Sequence, residues 1–156
     1  MGQTLPLIVT LDANIIIAYL AGESSVIKSI LDWKRHGHTL FLSAVAETEV
    51  LAFSGFTLIE RKNTEQLLEE NFWLVPFDRP IARIAADIRH TSKIKFPDAA
   101  IAATALFHKS PIVTRNIHDF KKIPELSIID LLFNVGSESL ETLVQGNDSR
   151  VQEKTS

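Results

Sequence analysis

The stretch Leu5-Pro6-Leu7-Ile8-Val9-Thr10-Leu11-Asp12-Ala13-Asn14 sets the frame for the chain. Leu5 to Leu11 is a continuous apolar, β-branched run, the pattern of a strand buried on both faces of a parallel sheet. Asp12 ends the run, and Ala13 to Leu20 reads as a helix. An acid at this junction is poorly suited to a core and well suited either to capping the helix or to a site.

Outward from this unit the same alternation continues. Ser25 is expected to cap a helix with apolar positions Val26, Ile27, Ile30 and Leu31 and a stop at Gly37. Thr39 to Leu42 reads as a second strand, and Ser43 as the cap of a helix from Ala44 to about Phe53. Capping signatures at Thr57 to Glu60 and at Asn63 to Gln66 predict two short helices or one bent helix up to Glu70. Phe72 to Phe77 is a third strand, confined by Pro76 to an edge or a strand end. Asp78 caps a helix reaching about Arg89. Pro97 suits the first position of a helix running from Asp98 to His108 that is apolar almost all round and therefore central. Pro111 to Thr114 and Ser127 to Ile129 complete five strands. This alternation predicts an α/β domain with a mainly parallel sheet, whose ligands bind beyond the carboxyl ends of the strands.

Composition bounds the possibilities. The 156 residues fit one domain, and 46% hydrophobic with 22% charged residues is ordinary for a folded chain. Residues 1–134 are expected to form the domain. Residues 135–156, rich in Gly, Ser, Glu, Gln and Lys, are expected to fray or to dock on a partner. There are no cysteines, which excludes disulfides, thiolate metal sites and cysteine nucleophiles. The first residues lack the basic start of a signal peptide, and no segment reaches the about 18–20 apolar residues of a membrane span. A cytoplasmic protein is expected. The net charge of −3 is unevenly placed: from Arg89 to Lys122 seven Lys and Arg stand against two acids, leaving +5 there and −8 elsewhere. The two acids in the basic segment are Asp98 and Asp119.

Four carboxylates stand at junctions or on apolar faces: Asp12, Glu49, Asp98 and Asp119. Singly, each has an ordinary explanation. Asp12 caps a helix, and Asp98 near a helix start favours the dipole by about 0.3–1 kcal/mol. Asp119 lies in the polar loop Thr114 to Phe120. Glu49, at about 100° per residue, falls on the Val45/Ala52 stripe, where an unpaired carboxylate is costly. Jointly they imply more, because three of them come to one sheet edge from separate junctions. Carboxylates about 4 Å apart repel by about 4 kcal/mol at an effective dielectric near 20, so a cluster needs cations or bound protons. Hard oxygen donors point to Mg²⁺ or Mn²⁺, and such a site suits phosphodiester hydrolysis. The basic segment, with Lys93, Lys95 and Arg115 as candidates, could hold a nucleic-acid backbone. Among the histidines, only His118 beside Asp119 invites a test.

Val9-Thr10-Leu11-Asp12-Ala13-Asn14, then Ser43 with Glu49-Val50, then Pro97 to Ala105, then Val113-Thr114-Arg115-Asn116 and Asp119-Phe120, is an order of motifs that resembles the PIN-domain ribonucleases. Within that family it is most similar to the VapC-type toxins of prokaryotic toxin–antitoxin modules. The resemblance spans about Leu7 to Ile129. It implies a PIN-like three-layer α/β/α fold and Mg²⁺-dependent (or Mn²⁺-dependent) endonucleolytic cleavage of RNA. It further implies a homodimer and a small antitoxin protein that covers the pocket. By the same resemblance Asp12, Glu49 and Asp98 form the metal-binding core, Asp119 is the fourth acid, and Asn14, Thr114 and Asn116 support the site. Relatives often carry Ser or Thr where this chain has Ala13, and some place the fourth acid at the position of Asn116. A haloacid-dehalogenase-like phosphatase would need an acid at Asn14, and a phosphoacceptor receiver domain would need an acidic pair after the first strand. The remaining alternative is a PIN-like fold that binds RNA or protein without cutting.

Overall fold

A computed structural model describes residues 5–131 and 139–145. Five strands, β1 (Ile8–Leu11), β2 (Thr39–Ser43), β3 (Trp73–Val75), β4 (Ile112–Thr114) and β5 (Ile128–Asp130), form one sheet in the order β3-β2-β1-β4-β5. Every neighbouring pair is parallel, with Leu11 level with Leu42 on one side and with Val113 on the other. The mainly parallel sheet expected from the sequence is thus wholly parallel. Val9, Leu11, Leu40, Leu42, Ile112 and Val113 are buried, as strands covered on both faces require.

Within residues 5–131 the helices are α1 (Ala13–Leu20), α2 (Ser24–Arg35), α3 (Ala44–Leu51), α4 (Leu58–Asn71), α5 (Arg79–Thr91), α6 (Phe96–Phe107) and α7 (Ile117–Phe120). The chain first steps outward from β1 to β2 and β3, then returns to the opposite side of β1 for β4. Right-handed crossovers place the connections of these two directions on opposite faces, which gives three layers. The reversal falls between β1 and β4, the topological switch point where parallel sheets open a crevice at their carboxyl ends.

Local chemistry explains most boundaries. Ser43 caps α3 by accepting from the Val45 and Ala46 amides, worth about 1 kcal/mol. Thr57 accepts from Glu60 N–H and Asp78 from Ile81 N–H at the starts of α4 and α5. Gly37, at φ +82°, supplies the left-handed turn after α2. Seven of the twelve residues of α6 are buried, in keeping with its expected central place. β3, short and ending just before Pro76, is an edge strand as the proline requires.

Several boundaries differ from expectation. The cap of α2 is Glu23, so Ser25 lies inside the helix. A single helix fills the Thr57 to Glu70 region, because its solvated face carries i,i+4 partners such as Arg61 with Glu65 and Gln66 with Glu70. Phe96, not Pro97, opens α6, which puts Asp98 at its third position. Asp119 belongs to the short helix α7 rather than to a loop.

Part of the C-terminal segment falls within the described residues. Residues 140–145 are helical, with Leu140 and Leu143 buried in the domain's own core. Glu141 Oε1 lies 3.0 Å from Nε2 of the buried His38, whose Nδ1 accepts the Leu7 amide at 3.0 Å. The two leucines, three apart, fall on one face of this helix, and Val144 packs beside them. The rest of the expected tail lies outside the described residues.

Candidate active site

The site begins at the switch point. Asp12 follows β1, and its amide donates to Val113 O at 2.9 Å, which sets it against the end of β4. Its carboxylate is almost fully buried. Oδ1 accepts from the Ala13 amide at 2.8 Å, and Oδ2 accepts from the Thr114 hydroxyl at 2.7 Å. Asp12 therefore is a helix cap and also has a partner 102 residues away in sequence. Burial raises its pKa; the bonds from Thr114 and Ala13 oppose that shift, and Asp98 reinforces it.

Thr114 is the hub. Fully buried at the end of β4, its hydroxyl donates to Asp12 and accepts from the Asn116 amide at 2.9 Å. The Asn14 side chain reaches the same hydroxyl with Nδ2 at 3.5 Å, while its Oδ1 accepts the Arg115 amide at 3.4 Å. Asn116 Nδ2 donates to Asp119 Oδ2 at 2.9 Å, and Lys122 Nζ lies 3.5 Å from Asp119 Oδ1. Asn116 thus aims Asp119. That bond, with help from Lys122 and His118, holds the Asp119 carboxyl below its ordinary range.

The remaining acids complete a row. Asp98, half-buried in the first turn of α6, is raised by partial burial and by Asp119, with Lys95 opposing. Glu49 on α3 is raised by partial loss of water and then by Asp12 and Asp98. Electrostatic coupling therefore runs Glu49, Asp12, Asp98, Asp119, with Asp98 interacting with all three others. Glu49 itself is exposed. The buried stripe of α3 is Ala46 and Val50, not Val45 and Ala52 as expected, so Glu49 is not a carboxylate sealed in the core. It borders a crevice instead, beside a cavity of about 480 Å³ whose walls include Ile17, Leu20, Phe53 and Phe56.

Of the three basic candidates, Lys93 and Lys95 are exposed on the approach to α6. Arg115 is committed to Glu23, across the α1–α2 turn, rather than free for a substrate as expected. Nothing local marks that pairing, since the two residues are 92 positions apart.

A hard divalent cation suits this donor set. Three carboxylates held above their ordinary range and coupled to a fourth are short of positive charge. Among the described residues no three acid or histidine side chains converge as a ready-made cage. Mg²⁺ does not demand one, because it usually keeps several waters and takes only one or two carboxylates.

Fold and site together define a parallel α/β protein with an acid row at its switch point. Residues 9–126 match the PIN domain model, and the chain belongs to the PIN-domain family. It is 30% identical to a ribonuclease VapC of Rickettsia bellii over 128 residues, covering 76% of this chain and 92% of that protein. Among solved structures, it is similar to a toxin–antitoxin complex from Klebsiella pneumoniae, with 27% identity, a TM-score of 0.65 and coverage of 76% of this chain and 94% of that one. VapBC-1 from nontypeable Haemophilus influenzae shares the fold at a TM-score of 0.69 and 24% identity, over 81% and 99% of the two chains.

Proposed function

We propose that this protein is a VapC-type endoribonuclease, the toxin of a toxin–antitoxin module, acting with Mg²⁺ or Mn²⁺. The observation that carries the reading is the coupled row Glu49, Asp12, Asp98 and Asp119 at the β1/β4 switch point, with Asp12 held by Thr114. The ribonuclease relative and the toxin–antitoxin neighbours support it.

Asp12, Asp98, Glu49 and Asp119 would hold the ion, one or two of them directly and the others through its waters. When bound, a divalent cation supplies the positive charge that activates water and stabilises the leaving oxygen of a phosphodiester. Thr114 and Asn14 keep Asp12 in place, and Asn116 orients Asp119. Lys93 and Lys95 lie where a phosphate backbone could be drawn toward the acid row, giving a salt-dependent affinity.

A small antitoxin is the proposed protein partner. Beside Glu49, Ile17 and Phe53 are 50% and 63% exposed, an apolar surface that a partner segment would cover. A homodimer is the proposed assembly, and the cytoplasm, where RNA is available, is the proposed location.

The test is cleavage of a mixed panel of structured and single-stranded RNAs by the purified protein with Mg²⁺, Mn²⁺ or EDTA, beside Asp98→Asn. Cleavage that requires the ion and disappears in the variant is the expected result. Full activity of Asp98→Asn, or activity in EDTA, would refute the assignment.

A further inference from the structure

Glu23 stands at the N-cap of α2 with extended backbone angles, yet its side chain makes no cap bond. It turns instead to Arg115. Nη1 of Arg115 donates to Glu23 Oε2 at 2.8 Å, and Nη2 donates to Oε1, a two-pronged fork on one carboxylate. The turn that brings Glu23 there is fixed by Gly22 at φ +81° and by the Glu23 amide donating to Ala18 O at 3.1 Å. Glu23 is thereby anchored to the end of α1, the helix that Asp12 caps.

On its other side, Arg115 belongs to the turn that carries the hub of the site. It follows Thr114 directly, and its amide donates to Asn14 Oδ1. The next amide, Asn116 N–H, donates to Thr114 Oγ1. A change in the backbone path of Arg115 would therefore move the hydroxyl that holds Asp12. The Arg115 Nε is buried without a hydrogen-bond partner among the described residues. A guanidinium held this way at the cost of one orphaned donor is a fixed strut, not a free surface cation awaiting a phosphate.

We infer that Glu23 is a positioning residue of the nuclease site: through Arg115 it clamps the Thr114–Asn116 turn, and so the hydroxyl that orients Asp12, onto the α1–α2 corner. This rests on the nuclease reading and reassigns Arg115 from substrate contact to support. Because the pair is partly exposed, it adds little to global stability, and its effect is expressed as geometry at Thr114.

The experiment compares the full-length protein with Glu23→Gln, Arg115→Lys and the swap combining Glu23→Arg with Arg115→Glu. Two readouts are taken: steady-state cleavage of RNA with Mn²⁺ over a range of salt, and amide hydrogen exchange at Arg115 and Asn116 without metal. For Glu23→Gln the expected result is a kcat about 10-fold lower with KM within about twofold, as a misplaced group of order 1 Å or less would give. The salt dependence of KM should not change. The Arg115 and Asn116 amides should exchange about 10-fold faster while the melting temperature moves by less than about 4 °C. Arg115→Lys should behave alike, since an ammonium cannot supply the fork, and the swap should recover part of kcat. A rise in KM with a shallower salt dependence and intact kcat would show that Arg115 contacts phosphate, overturning the inference. Unchanged exchange at both amides would overturn it as well. If the unaltered protein cuts no RNA, the nuclease reading fails, and the exchange data alone still decide whether Glu23 clamps the turn.

Discussion

Replacing Asp98 with Asn should stabilise the metal-free protein at neutral pH. Asp98 repels Asp12, Glu49 and Asp119, and among the described residues no hydrogen bond to its side chain would be lost on substitution by an isosteric amide. Like charges somewhat beyond contact in a partly solvated cleft repel by roughly 0.5–1 kcal/mol each. Glu49 is exposed and Asp119 partly so, and their two pairs count for about half. The relief is then about 1–2 kcal/mol. Against it stands the lost interaction of the charge with the first turn of α6, about 0.3–1 kcal/mol. At the middle of these ranges the net gain is about 0.8 kcal/mol, which corresponds to a melting temperature higher by about 2–3 °C. The sign of the pH dependence follows from the raised pKa of Asp98. The folded state binds its proton more tightly than the unfolded state does, so the unaltered protein loses stability as pH rises from the ordinary carboxylate range through the raised value. The gap between variant and parent should be widest near pH 7 and close toward pH 4. Thermal melting in EDTA across this range measures it. Mg²⁺ or Mn²⁺ should reverse the order by stabilising only the parent, by about 2.7 kcal/mol at a concentration 100 times the dissociation constant. A variant that melts below the parent in EDTA at pH 7, or a gap that does not vary with pH, would show that Asp98 is not held against its neighbours' charge.

Thr114→Val should leave the Asp12 carboxylate and the Asn116 amide without their shared partner, costing about 1–3 kcal/mol and abolishing most cleavage; the Asp12 pKa, followed by carboxyl NMR, should rise further. Lys93→Gln should raise KM and reduce the slope of log KM against log salt by about one, without lowering kcat; an unchanged slope would place the RNA elsewhere. Leu140→Ala, in a side chain 1% exposed, should lower stability to denaturant by about 2–5 kcal/mol, whereas a tail that only frays would show no change.

Much of this protein was decided locally and could be read from the chain. The Leu5 to Leu11 run, the caps at Ser43, Thr57 and Asp78, and the apolar circumference of α6 each follow from short-range rules of burial and hydrogen bonding. They suffice for an alternating α/β chain with a parallel sheet, and the order of motifs around Asp12, Glu49, Asp98 and Thr114 pointed to the PIN family. Other features depended on distant partners. Glu23 looks like a surface acid before a helix until Gly22 turns it toward Arg115. Leu140 and Leu143 sit in a polar sequence, and only the folded domain gives them a core to enter. Glu49 shows the converse, because helical periodicity placed it inside while the packing of α3 through Ala46 and Val50 left it at the crevice rim. The sequence by itself determined the elements, their caps and the types of donor available for a hard cation. Which acids feel one another's charge, and that one threonine hydroxyl ties Asp12 to β4, was decided only by the tertiary structure, because electrostatic coupling and hydrogen bonding depend on distance in space, and the sheet reversal between β1 and β4 closes a gap of 102 residues.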